Sequence, residues 1–153
     1  MNSIKLTIEL VPQTCWYSNV RSEVSKEDWE KIKKHFSVKA KYRCEICGGK
    51  GPKWPVECHE IWDYDDKNKI QKLVSMTSLC PSCHEVKHIG LASIKGRIEQ
   101  ATQHLACVNG WTEDTARNYV TAQFEIWKQR SLSNWTLDVS SLDSLVFLQR
   151  KKT

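Results

Sequence analysis

The first third of the chain combines a short alternating segment with a helical repeat of apolar residues. Polar and apolar residues alternate over residues 5–11, which predicts a strand that ends at Pro12. Ser25 is followed by Lys-Glu-Asp, a sequence typical of a helix start, because a serine oxygen can accept from a free amide and acidic residues favour that end. The residues that follow at helical spacing, and that we expect to be buried, are Trp29, Ile32 and Phe36.

The middle of the chain predicts a β-hairpin and then a short helix. Residues 54–64 and 70–74 read as two strands, and the polar residues 65–69 between them are typical of a turn. Pro81 suits the first turn of a helix, and we expect Gly90 to interrupt that helix.

The last third predicts two amphipathic helices. Apolar residues recur at helical spacing over residues 91–108 and predict one long helix that Gly110 ends. Thr112 is expected to cap a second helix that ends near Ser133. Residues 135–139 alternate again, so we expect a strand that pairs with the N-terminal strand, and the basic tail 149–153 is expected to fray. The buried side of the second helix is expected to consist of Ala116, Tyr119, Val120, Phe124 and Trp127.

Composition favours one globular domain, and the predicted strands and helices make it an α+β protein. The chain has 153 residues, of which 40% are hydrophobic and 27% charged, as in ordinary globular proteins. The predicted hairpin and short helix lie within residues 42–90, preceded by a strand and helix in residues 4–41 and followed by a helical buttress in residues 91–148. No run approaches the roughly 18 apolar residues of a membrane helix. Lys5 and Glu9 interrupt the stretch where a signal peptide needs an apolar segment, so we expect a cytoplasmic protein without a membrane anchor.

Positive charge is concentrated in one segment. The whole chain carries a net charge of +5, whereas residues 31–53 contain eight basic residues against Glu45 alone. Such a local excess is typical of a polyanion-binding surface, and a solvated helix face followed by a loop is an equally good interpretation. The candidate nucleic-acid contacts in this segment are Lys33, Lys34, Lys39, Lys41, Arg43, Lys50 and Lys53.

Cysteine spacing predicts a metal site. The chain has seven cysteines, an odd number that argues against a closed disulfide framework. Two C-x-x-C pairs, separated by 32 residues, have the spacing of two knuckles that hold a tetrahedral structural zinc. A redox dithiol is the alternative, but that motif normally opens a helix in a βαβ unit and does not occur in pairs. The four predicted ligands are Cys44, Cys47, Cys80 and Cys83.

Two histidines directly follow the second cysteine pair. His84 and His88 are four residues apart, so a helix places them on one face, where their imidazoles can bind one ion. A pair of ordinary surface histidines is the alternative. The adjacent Cys83 favours the metal site, because the zinc knuckle would orient the start of the helix.

These spacings together resemble the HNH nuclease family, the His-Me finger or ββα-metal fold. The resemblance covers residues 42–90, about a third of the chain, and includes the first C-x-x-C pair, an x-His dipeptide on a strand, a second strand and Leu-Cys-Pro-Ser-Cys-His-x-x-x-His. Two further stretches, Leu-Val-Pro-Gln-Thr-Cys-Trp and Cys-His-Glu-Ile-Trp-Asp-Tyr-Asp-Asp, are similar to small bacterial and phage proteins labelled HNH endonucleases.

The resemblance implies roles for individual residues. The four cysteines would hold the structural zinc, His59 would be the general base, and His84 and His88 would bind a catalytic divalent ion. Cys58 stands where many members have an Asp or His ligand. As a thiolate ligand it would favour zinc or another transition ion over magnesium, and as a small buried residue it would leave a water to complete the shell.

The family's asparagine is replaced in this chain. Nine residues before His84, where the resemblance places the Asn that orients the base, the sequence has Ser75. Serine is shorter and would reach only through water. Asn68 or Gln71 in the neighbouring turn and strand could supply the hydrogen bond instead.

The residue chemistry favours hydrolysis of nucleic acid, with DNA as the expected polymer. Phosphodiester cleavage needs a base that is unprotonated near neutral pH and a cation that neutralises phosphoryl charge, and His59 suits the first task. Lys87 or a residue of the basic segment is the candidate phosphate contact. A decayed, zinc-containing nucleic-acid-binding module and a protein-interaction scaffold are the other functions considered, and the pattern predicts no particular oligomeric state.

Overall fold

The computed structural model of the chain describes residues 4–16 and 18–145. The tail 149–153, which the sequence predicts to fray, lies outside these residues. These residues form an α+β fold with one three-stranded sheet. The helices are α1 (Val20–Glu23), α2 (Lys26–Lys39), α3 (Pro81–Lys87), α4 (Ile89–Ile94), α5 (Ile98–Asn109) and α6 (Glu113–Arg130), with 3₁₀-helices at Gln13–Cys15 and Ser140–Ser144. The strands are β1 (Glu57–Asp65), β2 (Ile70–Leu79) and β3 (Thr136–Asp138).

The predicted hairpin is confirmed, with different strand bounds. β1 pairs antiparallel with β2 from Glu57 opposite Leu79 to Asp65 opposite Ile70. Residue 54 lies before the strand, because the Gly51 amide donates to the Pro55 carbonyl at 3.0 Å and closes a turn there. β2 extends five residues beyond the predicted end, since β1 supplies partners along its whole length.

The alternation along β1 assigns its side chains to two faces. Successive residues of a strand point to opposite faces of the sheet, so Cys58 and His59 lie on opposite sides of β1. The register skips one residue of β2, since Ile61 is opposite Ser75 and Trp62 is opposite Leu73.

Apolar clusters form two cores around the hairpin. One joins the N-terminal segment to α3, α5 and α6, and the other lies between α2, β2 and the second 3₁₀-helix. The hairpin is therefore held between two layers, with α3 in one of them. Prominent members of the first core are Leu6, Leu79, Val86, Ile89 and Leu105, and of the second Val20, Ile32, Phe36, Leu73 and Leu142.

The predicted N-terminal strand and its pairing with the C-terminal strand are wrong. The amides of Lys5 and Leu6 donate to Asn109 Oδ1 at 2.9 and 3.0 Å, and the Ile8 amide donates to the Tyr119 hydroxyl at 3.2 Å. Side chains of α5 and α6 thus accept the backbone hydrogen bonds that a neighbouring strand would accept in a sheet. β3 instead runs parallel to β2, with Thr136 opposite Ile70.

Two helix predictions also need correction. α3 ends before His88, whose φ of −107° and ψ of 47° are not helical, and Gly90 lies inside α4 rather than interrupting a helix. The single long helix predicted over residues 91–108 is divided into α4 and α5 at Gly96, which has a φ of +72°. A positive φ costs glycine little, so the chain turns there.

The predicted helix starts at Ser25 and Thr112 and the predicted helix end at Gly110 are confirmed. The Ser25 side chain accepts from the Asp28 amide at 3.0 Å, and Thr112 accepts from the Thr115 amide at 3.1 Å. Gly110 ends α5 in the left-handed region with a φ of +67°. Among the described residues, no helix has the length and apolar character needed to cross a membrane.

Gly51 lies in close contact with the start of α3. A Cβ atom at this position would lie 2.3 Å from the Trp54 carbonyl oxygen and 2.6 Å from Pro81 Cδ. Both distances are far below van der Waals contact, so a side chain at residue 51 requires the backbone before β1 or the start of α3 to move.

We expect Gly51→Ala to lower the free energy of unfolding by about 1–3 kcal/mol, the usual cost of overpacking. Gly90→Ala is the matched control, because its Cβ would lie 3.5 Å from Leu10 Cδ2 in ordinary contact within α4. Urea unfolding of both variants checks the prediction. Equal stability of the two variants would contradict it.

Candidate functional site

Four cysteine sulfurs converge between the segment after α2 and the start of α3. The Sγ atoms of Cys44, Cys47, Cys80 and Cys83 all lie within 4.8 Å of one another, and we call them the cysteine cluster. The Cys47 and Cys80 sulfurs are 3.6 Å apart. Tetrahedral zinc with bonds of about 2.3 Å requires sulfur separations of about 3.8 Å. The cluster therefore has the composition and the size to hold a metal ion.

Backbone amides aim at these sulfurs. The first knuckle closes through the Gly48 amide, which donates to the Cys44 carbonyl at 2.9 Å with Gly48 at a φ of +76°. The Gly49 amide faces Cys47 Sγ at 3.4 Å, and the Cys83 amide faces Cys80 Sγ at 3.5 Å. Because Cys80 caps α3, the same sulfur that joins the cluster also fixes where the helix begins.

The cysteines of the cluster differ in how readily their thiols ionise. A hydrogen bond from the Cys83 thiol lowers the pKa of Cys44, and the same hydrogen bond, together with burial, raises the pKa of Cys83. Four adjacent sulfurs cannot all be ionised without a cation. A bound metal ion would remove this conflict, since it is held by thiolates.

Three histidine rings form a second group, which we call the histidine cluster. One ring nitrogen from each of His59, His84 and His88 lies within 4.8 Å of the others. The ring centroids are 4.8–5.2 Å apart. The Nε2 atoms of His84 and His88 are 3.1 Å apart, close to the roughly 3.3 Å between imidazole ligands of tetrahedral zinc. The strand histidine therefore does lie beside His84 of α3 and His88, although His88 is the C-cap of that helix rather than part of it.

Glu57 orients His84. Its Oε1 lies 3.1 Å from His84 Nδ1, and since a carboxylate only accepts, Nδ1 is the donor. This leaves the lone pair on Nε2, the atom that faces His88. A carboxylate behind the imidazole is typical of histidines that bind metals, because it fixes the ring and its tautomer.

Glu9 and Lys87 complete the surroundings of His59. Glu9 Oε2 lies 3.2 Å from His59 Nε2, and its Oε1 lies 3.3 Å from Lys87 Nζ. Lys87 also donates to Thr7 Oγ1 at 2.7 Å. Sequence reasoning missed Glu9, because it is 50 residues from His59, and the only signal was a carboxylate within a largely apolar segment.

Burial governs the protonation of this group. Burial lowers the pKa of His59 despite the opposing hydrogen bond to Glu9, and burial lowers the pKa of His88 to about 3. Burial opposes ionisation of Glu9, but the hydrogen bond from His59 and the charge of Lys87 together hold its pKa below the usual value. Two neutral imidazoles thus lie beside an ionised carboxylate.

The structure separates Cys58 from the histidine cluster. Its sulfur lies 3.6 Å from Met76 Sδ, on the opposite face of β1 from His59, and burial raises its pKa to about 12. Because this sulfur lies on the other face of the strand and outside the histidine cluster, the alternative of a small, partly buried residue applies.

None of the three predicted base-orienting residues hydrogen bonds to His59. Ser75 Oγ donates to the Met76 carbonyl at 3.4 Å, and Asn68 Nδ2 donates to Asp65 Oδ2 at 2.9 Å in the hairpin turn. Gln71 is buried, with no hydrogen-bond partner for its side chain in the described part of the chain. The side chain within hydrogen-bond distance of the His59 ring is instead Glu9.

The basic residues divide into two groups. Lys87 is only 5% exposed and pairs with Glu9, so it is not a free surface cation for phosphate. Lys33 is paired with Glu30 at 2.8 Å. The remaining candidates are exposed on α2 and in the segment before β1, and they are Lys34, Lys39, Lys41, Arg43, Lys50 and Lys53.

Comparisons of the chain with protein-family models, with curated proteins and with solved structures give no match. The interpretation of the site therefore depends on the two clusters and their surroundings. Both consist of side chains that bind transition metals, and the histidine cluster adds a hydrogen-bonded carboxylate beside a buried neutral imidazole.

We expect the purified protein to contain two metal ions per chain. The His84→Ala, His88→Ala double variant is expected to retain one ion, because the cysteine cluster is unchanged, and to lose the more readily exchanged one. Elemental analysis after dialysis against a weak chelator measures both. A Cys15→Ala variant is the control, since Cys15 belongs to neither cluster. One ion in both the wild type and the double variant would contradict a metal site at the histidines.

Proposed function

We propose that this protein is a metal-dependent endonuclease of the HNH type that hydrolyses phosphodiester bonds in DNA. The observation that carries the proposal is the histidine cluster, which joins a ring from β1 to two rings from α3 and its C-cap. A hairpin followed directly by a helix with these histidines is the arrangement expected of a ββα-metal core. The cysteine cluster beside it supports the same proposal, since the resemblance includes a four-cysteine zinc.

The residues fit two ions with different tasks. The cysteine cluster would hold a structural zinc, because four thiolates in a tetrahedral arrangement favour zinc. His84 and His88 would hold the catalytic ion, and imidazole ligands favour zinc or nickel over manganese or magnesium. When bound, that ion supplies positive charge that neutralises the phosphate and the departing oxygen.

His59 is the proposed general base. Ionised Glu9 only accepts, so His59 Nε2 carries the proton and Nδ1 has the free lone pair. Nδ1 is thus the atom that takes a proton from the attacking water. Because burial lowers the pKa of His59, the ring is unprotonated at neutral pH, as a base must be.

Glu9 is the proposed positioning residue for His59. It takes the part that the family's Asn plays, by fixing the tautomer and orientation of the imidazole. Lys87, which lies 3.3 Å from the same carboxylate, favours the ionised form that this task requires. The replacement of Asn by Ser75 is then compatible with an active enzyme.

We expect His59→Ala to abolish nicking of supercoiled plasmid in the presence of magnesium, manganese, nickel or zinc, since no base remains. His35→Ala on α2, outside the histidine cluster, is the matched control and is expected to cleave normally. Gel analysis of both variants beside the wild type checks the prediction. Normal cleavage by His59→Ala would refute its role as base, and inactivity of the wild type with every ion would indicate a non-catalytic module.

We expect Glu9→Ala to lower kcat about 10- to 100-fold with little change in KM, the usual cost of losing the group behind a functional imidazole. Glu9→Gln keeps an acceptor oxygen and is expected to recover part of that loss. The ¹⁵N chemical shifts of His59 report its tautomer, which we expect to be Nε2–H in the wild type and mixed in Glu9→Ala.

Glu60→Gln is the control for charge removal on the neighbouring strand residue. The Glu60 carboxylate accepts from the Val20 amide at 2.7 Å, whereas the side-chain hydrogen bond of His59 is to Glu9. We expect its kcat and its His59 tautomer to match the wild type. An unchanged His59 tautomer in Glu9→Ala would rule out positioning by Glu9.

A further inference from the structure

A cleft of about 520 Å³ opens beside the histidine cluster, and His59 and His88 both line it. Its volume lies within the roughly 300–1,000 Å³ typical of pockets for small molecules and cofactors. The walls come from the N-terminal segment, the hairpin, α4 and α6, and they consist mainly of aromatic and aliphatic side chains. We call it the aromatic cleft, and its principal residues are Trp16, Trp62, Gln71, Leu91, Phe124 and Trp127.

Two indole rings form one wall in a fixed orientation. The rings of Trp16 and Trp127 are stacked with centroids 6.4 Å apart and an interplanar angle of 19°. Both Nε1 atoms donate to the carbonyl of Val11, at 3.0 and 2.9 Å. Since their only polar groups are already bonded, these rings offer apolar π faces to a ligand, and Trp16 is still 49% exposed.

Aliphatic side chains of α4 extend the apolar surface. Leu91 and Ile94 line the cleft and are 52% and 78% exposed. Together with Trp16 they form an uncovered apolar patch directly beside a group of titratable residues, and such patches typically mark binding sites.

Gln71 places an unpaired amide in the same cleft. The residue is 1% exposed, and neither its Nε2 nor its Oε1 has a hydrogen-bond partner among the described residues. A buried amide without partners is destabilising, so Gln71 has both a donor and an acceptor available for a ligand in the cleft. An amide offers one donor and one acceptor side by side, which matches the edge of a nucleobase.

We propose that the aromatic cleft binds one unstacked nucleobase of the DNA strand whose phosphate lies at the histidine cluster. The base stacks against the wall that contains Trp16, and its edge pairs with Gln71. This inference rests on the proposed function, because the phosphate at the histidines brings the neighbouring base to the cleft. An acyl chain or an apolar peptide would contact the same walls but would leave the Gln71 amide without a hydrogen-bond partner.

The proposal also defines the substrate. A base inside an intact duplex is stacked on both faces and cannot reach a protein cleft without leaving the stack. The preferred substrate is therefore DNA with an unpaired or extruded base beside the scissile phosphate.

The test compares two labelled DNA duplexes by fluorescence anisotropy with the full chain. One duplex contains a single unpaired base, and the other has an abasic residue at that position; both carry phosphorothioate linkages, which resist hydrolysis, so that binding is measured without cleavage. We expect the wild type to bind the abasic duplex about 5- to 150-fold more weakly, the range for loss of one stacked base. Equal affinities would overturn the proposal.

Variants of two equally exposed tryptophans locate the effect. Trp16→Ala is expected to abolish the preference for the duplex with the base, and Trp16→Phe is expected to keep most of it. Trp54→Ala is the control, because Trp54 is 50% exposed and does not line the cleft. A full preference in Trp16→Ala, or its loss in Trp54→Ala, would overturn the proposal.

Gln71→Leu tests the contact with the base edge. We expect this variant to lose the difference in affinity among the four bases at the unpaired position while it keeps the preference over the abasic duplex. Its thermal midpoint is expected to equal or exceed that of the wild type, because an unsatisfied amide is removed. Unchanged discrimination among the bases would refute the role of Gln71.

The outcomes separate this proposal from the proposed nuclease activity. A chain that cleaves no plasmid but shows the Trp16-dependent preference would overturn the activity and support the cleft. A chain that cleaves plasmid and binds both duplexes equally would support the activity and overturn the cleft. Binding of a fluorescent fatty acid without any preference between the duplexes would indicate an acyl-chain site and also overturn the cleft proposal.

Discussion

The position of the histidine cluster depends on the convergence of four sulfurs at the start of α3. Cys80 caps this helix and Cys83 lies in its first turn, so the cysteine cluster fixes both the origin and the direction of the helix. A helix of seven residues is not stable by itself, because nucleation costs more than its few hydrogen bonds return. The joined knuckles, together with the packing of Val86 in the first core, therefore define the positions of His84 and His88.

The N-terminal segment is the second requirement of the site. Glu9 lies between His59 and Lys87, and each of the three groups would be costly to bury without the others. The segment itself is held by side chains of α5 and α6, through Asn109 and Tyr119. The C-terminal helices, to which the sequence assigned no chemistry, thus act on the site by fixing the carboxylate that contacts His59.

Several features around the site reduce stability. Burial lowers the pKa of His88 to about 3, so the ring is held neutral, and the amide of Gln71 is buried without a partner. Such local conflicts are typical of functional regions, where a ligand or a metal supplies the missing interaction. Both residues line the aromatic cleft, so these local conflicts lie in the region that the two proposals assign to ligand binding.

The sequence by itself determined the features that depend on short spacings. Two C-x-x-C pairs, two histidines four residues apart and a polar turn between alternating segments define the knuckles, the face of α3 and the hairpin, because each involves neighbouring residues. Only the tertiary structure decided which distant groups meet. It brought Glu9 next to His59, and it packed the N-terminal segment against α5 and α6 rather than in a sheet. Contacts across 50 to 100 residues depend on how the elements pack against one another, and no local pattern along the chain encodes that packing.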